Sequence, residues 1–247
     1  MTRHRLHQRR KDGFRNPLAD PYLIGAASGA GLGAVIALTL KWPAGSLGFM
    51  AVPLFAFLTA LATVFLVYQM AKTGSAIPVT NLILAGVAVS SFATALTSFL
   101  LINASGQLRR ALVWLLGGST LAGWKPLLAQ LPYTLIGLGI LLAMAYRLNV
   151  LQFGDEQAKQ LGLPVERVRI LIIAAASLTT AAAVSFSGII GFVGLIVPHI
   201  LRMTAGGDYR RLLPLTMIGG AALLLLSDAV SYPHLTLPTD FPVSISV

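Results

Sequence analysis

Apolar residues in this chain gather in long runs divided by short polar stretches, with little strict alternation of the two. A helix that crosses a bilayer needs about 20 mostly apolar residues. The runs predict spans at 22–40, 49–71, 79–102, 126–146, 168–187, 190–205 and 212–230. The sixth is short and rich in glycine, which suits a tilted or broken helix. A further segment, 107–118, carries Arg109 and Arg110 and reads as interfacial. The expected fold is therefore all-α, a polytopic transmembrane helical bundle of about seven spans, because only helices or closed barrels satisfy their backbone inside lipid.

The first span has clear start signals. Asp20 can cap free N–H groups, and Pro21 suits the first helical turn. Gly25, Gly29 and Gly33 recur every four residues, so they share one face and let another helix approach closely. A phosphate-binding glycine loop is the rival reading, but no strand precedes these glycines and no acid follows at the required distance. A cleaved signal peptide is a second alternative. The long, glycine-rich run after Pro21 favours a retained span.

Composition agrees with a bilayer. Hydrophobic residues make up 56% of the 247 positions and charged residues 11%, against about 25% in a typical soluble domain. No Asp or Glu occurs between Asp20 and Asp155. The net charge of +10 invites a nucleic-acid partner, but the charge positions argue against it. Arg3, Arg5, Arg9, Arg10, Lys11 and Arg15 crowd residues 1–15, a basic cytoplasmic tail, and most other cations sit between apolar runs. The absence of cysteine excludes disulfides and thiolate metal sites. Alternate connections differ in charge. One set holds the N-terminal tail, Lys72, Arg147, Lys159, Arg167, Arg169, Arg202, Arg210 and Arg211; the other holds Lys41, Arg109, Arg110 and Lys125. The richer set is assigned to the cytoplasm.

Candidate chemistry is sparse. A P-loop needs Gly-Lys followed by Ser or Thr, and no Gly-Lys pair exists in the chain. His4, His7, His199 and His234 have no acid partner in a catalytic or metal-binding pattern, so no catalytic and no metal-ligating residue is assigned. An acid inside the membrane costs about 2.5–3.5 kcal/mol on insertion scales and so tends to mark function. Asp228 alone qualifies, near the end of its span, where a structural acid at the interface is the plainer reading. The most informative polar stretch is 149–167, between two spans. Asp155 and Glu156 suit a helix N-terminus, Gly162 suits its end, and Pro164 prevents continuation. A helix this short is marginal alone in water. Docking to a partner and an ordinary solvated turn both fit that pattern.

Four stretches carry a resemblance: NPLADPYLIGAASGAGLGA at 16–34, LILAGVAVSSF at 82–92, GDEQAKQLGLP at 154–164 and SGIIGFVGLIVPHILRMTAGGDYRRLLP at 187–214. They resemble the FecCD-type permeases, membrane subunits of bacterial ABC importers for ferric siderophores, haem and cobalamin. Asn16, Pro17, Pro21, Pro198 and His199 stand at motif positions of that family. The resemblance implies that Gly154, Asp155, Glu156, Ala158, Leu161 and Gly162 form an ATPase-coupling loop, and that Val79 and Thr80 lie at a cytoplasmic gate. It implies a multi-pass protein of the bacterial inner membrane that is no enzyme and binds no cofactor directly, with ATP used by a separate ABC ATPase subunit. The other implied partners are a second permease subunit, an extracytoplasmic substrate-binding protein and the lipid bilayer. The implied cargo is an iron–siderophore chelate, with haem and cobalamin as alternatives.

The resemblance covers a permease domain at 16–231, and residues 232–247 read as an irregular tail foreign to the family. Members of the family carry two spans before the Asn-Pro-Leu-Ala motif and one after the segment ending near Ser231. A truncated, nonfunctional fragment is thus one further reading; an ion-coupled secondary transporter is another, disfavoured by the shortage of intramembrane acids. The charge asymmetry predicts that single cysteines at positions 159 and 210 are shielded from an impermeant thiol reagent in intact cells, whereas a cysteine at 125 is labelled. Labelling at 159 from outside would overturn the orientation.

Overall fold

The computed structural model describes residues 25–40, 46–74, 78–103, 106, 108–118 and 123–235, with backbone alone at 46–49 and 231–235. Asn16, Pro17, Asp20, Pro21, the basic tail and Lys41 lie outside the described residues. The described residues form ten helices: α1 Ala26–Thr39, α2 Ser46–Ala71, α3 Val79–Asn103, α4 Leu108–Leu115, α5 Trp124–Ala143, α6 Ala145–Leu151, α7 Asp155–Gln160, α8 Val165–Ser187, α9 Val193–Ala205 and α10 Tyr209–Leu235. The architecture is all-α among the described residues.

Five of these helices are long and apolar enough to cross a membrane: Met50–Ala71 of α2, α3, α5, α8 and Tyr209–Val230 of α10. The hydropathy pattern predicts about seven. The two shortfalls are α1, with 14 described residues, and α9, with 13. For α9 the cause is visible. Gly188 and Phe192 both have positive φ, at 69° and 67°, so the chain leaves α8 and makes an irregular passage before helix resumes at Val193. A bulky residue in the left-handed region cannot propagate a right-handed helix. The predicted span 126–146 also divides, with a turn at Met144 between α5 and α6. At the other end α10 passes the predicted boundary at Ser231 and runs to Leu235. Residues 236–247 lie outside the described residues.

The helices form two compact units. The first takes the chain up to Gly137 together with Ile173–Ile189; the second takes Leu138–Ile172 together with Ile190 onward. The first is built on small residues. Ala30 and Ala34 of α1 and Ala56 and Ala60 of α2 are fully buried, with Trp114, Ala181 and Val184 in the same cluster. Gly29 and Gly33 lie against the α2 backbone. A Cβ on Gly29 would stand 2.8 Å from the Thr59 carbonyl oxygen, and one on Gly33 would stand 2.8 Å from the Phe55 carbonyl carbon. Gly25, with φ 90°, faces Thr63, Val67 and Ser90. The threonines at this contact turn inward on their own helix: Thr59 Oγ1 donates to Phe55 O at 2.6 Å and Thr63 Oγ1 to Thr59 O at 2.7 Å. The same device recurs between α5 and α8, where a Cβ on Gly137 would lie 2.9 Å from Ala175 O, beside Thr179. Lipid offers little hydrophobic incentive for helices to associate, so close van der Waals approach at small residues carries the packing.

This contact makes a prediction. Gly33→Leu must displace backbone and should destabilise the protein by about 1–3 kcal/mol. Gly139→Leu meets nothing within 4 Å of its new Cβ and should be tolerated. Thermal loss of monodisperse protein in detergent separates the two, and equal stability would contradict the packing described.

Candidate functional site

The polar stretch between α5 and α8 belongs to the second unit and forms a compact device. Gly154 precedes α7 with φ 103° and ψ 162°, a conformation open to glycine and strained for other residues. Asp155 and Glu156 occupy the first turn of α7 and Lys159 the last, in line with the helix dipole. At the far end Gly162 N–H donates to Lys159 O at 2.9 Å and Leu163 N–H to Ala158 O at 3.0 Å, with Gly162 at φ 80°. These two bonds and the left-handed glycine constitute a Schellman cap. Six residues are thereby closed into a stable turn of helix despite their length.

Tertiary anchors complete the closure. Arg169 Nη2 of α8 donates to both carboxylate oxygens of Asp155, at 2.7 and 2.8 Å, and its Nη1 lies 3.7 Å from Glu166. Ala158 is fully buried on the inner face. The outer face is different. Glu156, Gln157, Lys159 and Gln160 are exposed, and Leu161 is 70% exposed at the end of the helix. Phe153, on the other flank, is exposed as well. Two large apolar side chains thus flank the polar helix, one at each end, and both are exposed.

Before α7 the chain is pinned a second time. Asn149 Nδ2 donates to Asp208 Oδ1, and Asn149 Oδ1 accepts from Tyr209 N–H at 2.9 Å. Gln152 Nε2 donates to Asn149 Oδ1 at 3.0 Å and to Gly207 O at 3.1 Å. Asp208 starts α10, accepting from Arg210 N–H at 3.0 Å. That backbone N–H, followed by the Asn149 amide, holds the Asp208 carboxyl below its ordinary range. Its contribution to this joint is therefore complete above the usual carboxylate pKa and is lost only as pH falls through the lowered value. Arg210 lies over the Tyr146 ring at 5.0 Å and Arg202 over the Tyr209 ring at 5.7 Å.

The other residues singled out by sequence are placed elsewhere. Val79 and Thr80 open α3 in the first unit and are exposed. Gly25, Gly29 and Gly33 lie on the α1–α2 contact of that unit. Pro198 sits within α9, half-buried, and His199 beside it is exposed. Asp228 is exposed on α10. Sequence reasoning missed Asn149, Gln152, Arg169 and Asp208. Asp208 had a usable signal, since an Asp after Gly-Gly and before an apolar run is an N-cap pattern. The Asn149–Asp208 pairing, across 59 positions, had none.

Apolar helices of spanning length, joined by polar connections, make this a multi-pass membrane protein. The sequence profile of the FecCD transport family matches residues 13–247, and the chain belongs to that family. It is 44% identical over 232 residues to the cobalamin import system permease protein BtuC of Halobacterium salinarum, covering 94% of this chain and 61% of that protein. It is 37% identical over 239 residues to the hemin transport system permease protein HmuU of Yersinia pestis, covering 94% and 70%. A solved chain assigned to a metal-chelate type ABC transporter, in an inward-facing conformation, superposes with a TM-score of 0.81 at 33% identity, covering 89% of this chain and 69% of that one. This chain thus spans about three fifths of the length of its halobacterial relative.

The Schellman cap predicts the effect of Gly162→Ala. A left-handed alanine costs roughly 1–2 kcal/mol, which raises the open population of α7 roughly 5–30-fold. Limited trypsinolysis at Lys159 should accelerate to match. An unchanged rate would show that the cap does not hold α7.

Proposed function

We propose that this chain acts as the membrane permease subunit of an ABC importer that moves a metal chelate across the inner membrane by alternating access. The observation that carries the proposal is α7, a capped polar helix held from behind by Asp155–Arg169 with Leu161 facing outward. A chain with no Gly-Lys pair has no P-loop of its own, and such a docking helix is what a separate ATPase subunit would grip. Gly154, Asp155, Glu156, Ala158, Leu161 and Gly162 form the coupling element in this reading. Val79 and Thr80 border the inner gate. A second permease subunit completes the path, and an external binding protein delivers cargo.

The cargo in this reading is an iron–siderophore chelate. Cobalamin is the second reading, favoured by the 44% identity to the halobacterial cobalamin permease protein. Both are large metal chelates that need a path between subunits, with no covalent step by the protein.

The reading is tested by reconstituting the permease with its co-encoded ATPase and binding protein in liposomes. ATP-driven uptake of a ferric siderophore is expected, and uptake of cyanocobalamin in its place would select the second reading. Glu156→Arg should lower uptake roughly tenfold or more through charge reversal at the contact, while binding-protein docking persists. Uptake unchanged by Glu156→Arg, or uptake that proceeds without the ATPase, would overturn the proposal.

A further inference from the structure

We infer that the Asn149–Gln152–Asp208 network is a rigid joint that makes α7 and the α9–α10 junction move as one body, so that displacement of α7 is delivered to α9 and α10. This inference rests on the coupling role proposed for α7.

There are few ways for α7 to pass on a push. A surface helix of six residues between two glycines, Gly154 and Gly162, would yield at those hinges if nothing else held it. The Asp155–Arg169 pair ties its first turn to the first turns of α8. On its N-terminal side the chain reaches Asn149 and Gln152 through α6 and the turn after it. There it meets residues 55–60 positions away in sequence. Asn149 is bound through both ends of its amide: Nδ2 donates to Asp208, and Oδ1 accepts from the Tyr209 backbone. Gln152 adds a bridge to Gly207 O. Three consecutive residues, Gly207, Asp208 and Tyr209, are thus held by two side chains.

The position of this grip matters. Gly206 and Gly207 separate α9 from α10, and Asp208 O accepts from Arg211 N–H at 3.0 Å and Leu212 N–H at 2.8 Å to start α10. A Gly-Gly connection is otherwise the most deformable link available. Gripping it from α6 removes that freedom where a force would be absorbed. The Tyr146–Arg210 stacking reinforces the same link. An amide–carboxylate pair suits such a joint, because its charge-assisted bond is directional and stays intact throughout the neutral range.

The pair can be inverted with the link between 149 and 208 kept, at the loss of the bond from Arg210 N–H, which shares Asp208 Oδ1 with the Asn149 amide. In Asn149→Asp combined with Asp208→Asn, the new amide at 208 donates to the new carboxylate at 149. The carboxylate at 149 still accepts from Tyr209 N–H and from Gln152. Asn149→Asp alone instead sets two carboxylates together.

The experiment uses spin labels at Lys159→Cys on α7 and Thr204→Cys on α9, both exposed, in the assembled importer with and without ATP. One narrow distance, unchanged by nucleotide, is expected. Asn149→Asp should broaden it or make it depend on nucleotide, and should raise the ATP consumed per chelate carried roughly two- to thirty-fold. The inverted pair should restore both. A distance that changes with nucleotide in the unaltered joint, or that stays narrow in Asn149→Asp, would overturn the inference. Failure of the underlying reading looks different: a cross-linker on Glu156→Cys would capture no ATPase subunit. The distance in the permease alone would still judge the joint.

Discussion

Lipid tails solvate a leucine about as well as another helix does, so helices in a bilayer are held together by how closely their backbones can come. Gly29 and Gly33 on α1 meet the carbonyls of Thr59 and Phe55 on α2 at a separation that admits no Cβ. Gly137 does the same against Ala175. Threonine takes part in both contacts because its hydroxyl bonds back to its own helix and leaves no unsatisfied group. The alanines around these points are fully buried, while many leucines and phenylalanines point outward, the inverse of a soluble core. The first unit depends on this constraint, and few substitutions along the glycine stripe are compatible with it.

The same constraint removes charge from the spans and concentrates it in the connections. The second unit shows what a connection can then become. The stretch 149–167 has too few residues for a domain and too much hydrogen bonding for a loop. A C-terminal Schellman cap, a buried alanine and one ion pair make α7 a firm projection. A surface ion pair contributes about 0–1 kcal/mol, so Asp155–Arg169 matters here less for stability than for fixing the direction of α7. The amide and carboxylate at 149 and 208 serve the same end on the other side.

Most of this is legible in the sequence where the governing interaction is local. Asp155, Glu156, Gly162 and Pro164 delimit α7 because caps and dipoles act within one turn of helix. The long spans are legible because hydrophobic length is a property of a single segment. What escapes the sequence is non-local or conformational. Nothing in the residue string announces that Phe192 adopts a left-handed conformation, and that feature shortens α9 below spanning length. Arg169 reads as one more cytoplasmic cation, and only the fold brings it to Asp155. Asn149 is one polar residue among several until the fold supplies its partner at 208. Residues 232–247 read as an irregular tail, yet the helix continues to Leu235.

The central claim is that α7 is the surface through which this membrane chain is driven from outside the bilayer. Backbone amide exchange measures it most directly, because α7 is short, solvent-facing and closed by few hydrogen bonds. Exchange across 149–167 should be compared for the permease alone and for its complex with the ATPase subunit, both in lipid nanodiscs. Strong slowing at 154–163 on complex formation is the predicted result. Unchanged exchange there, with the ATPase bound and protecting some other segment, would contradict it.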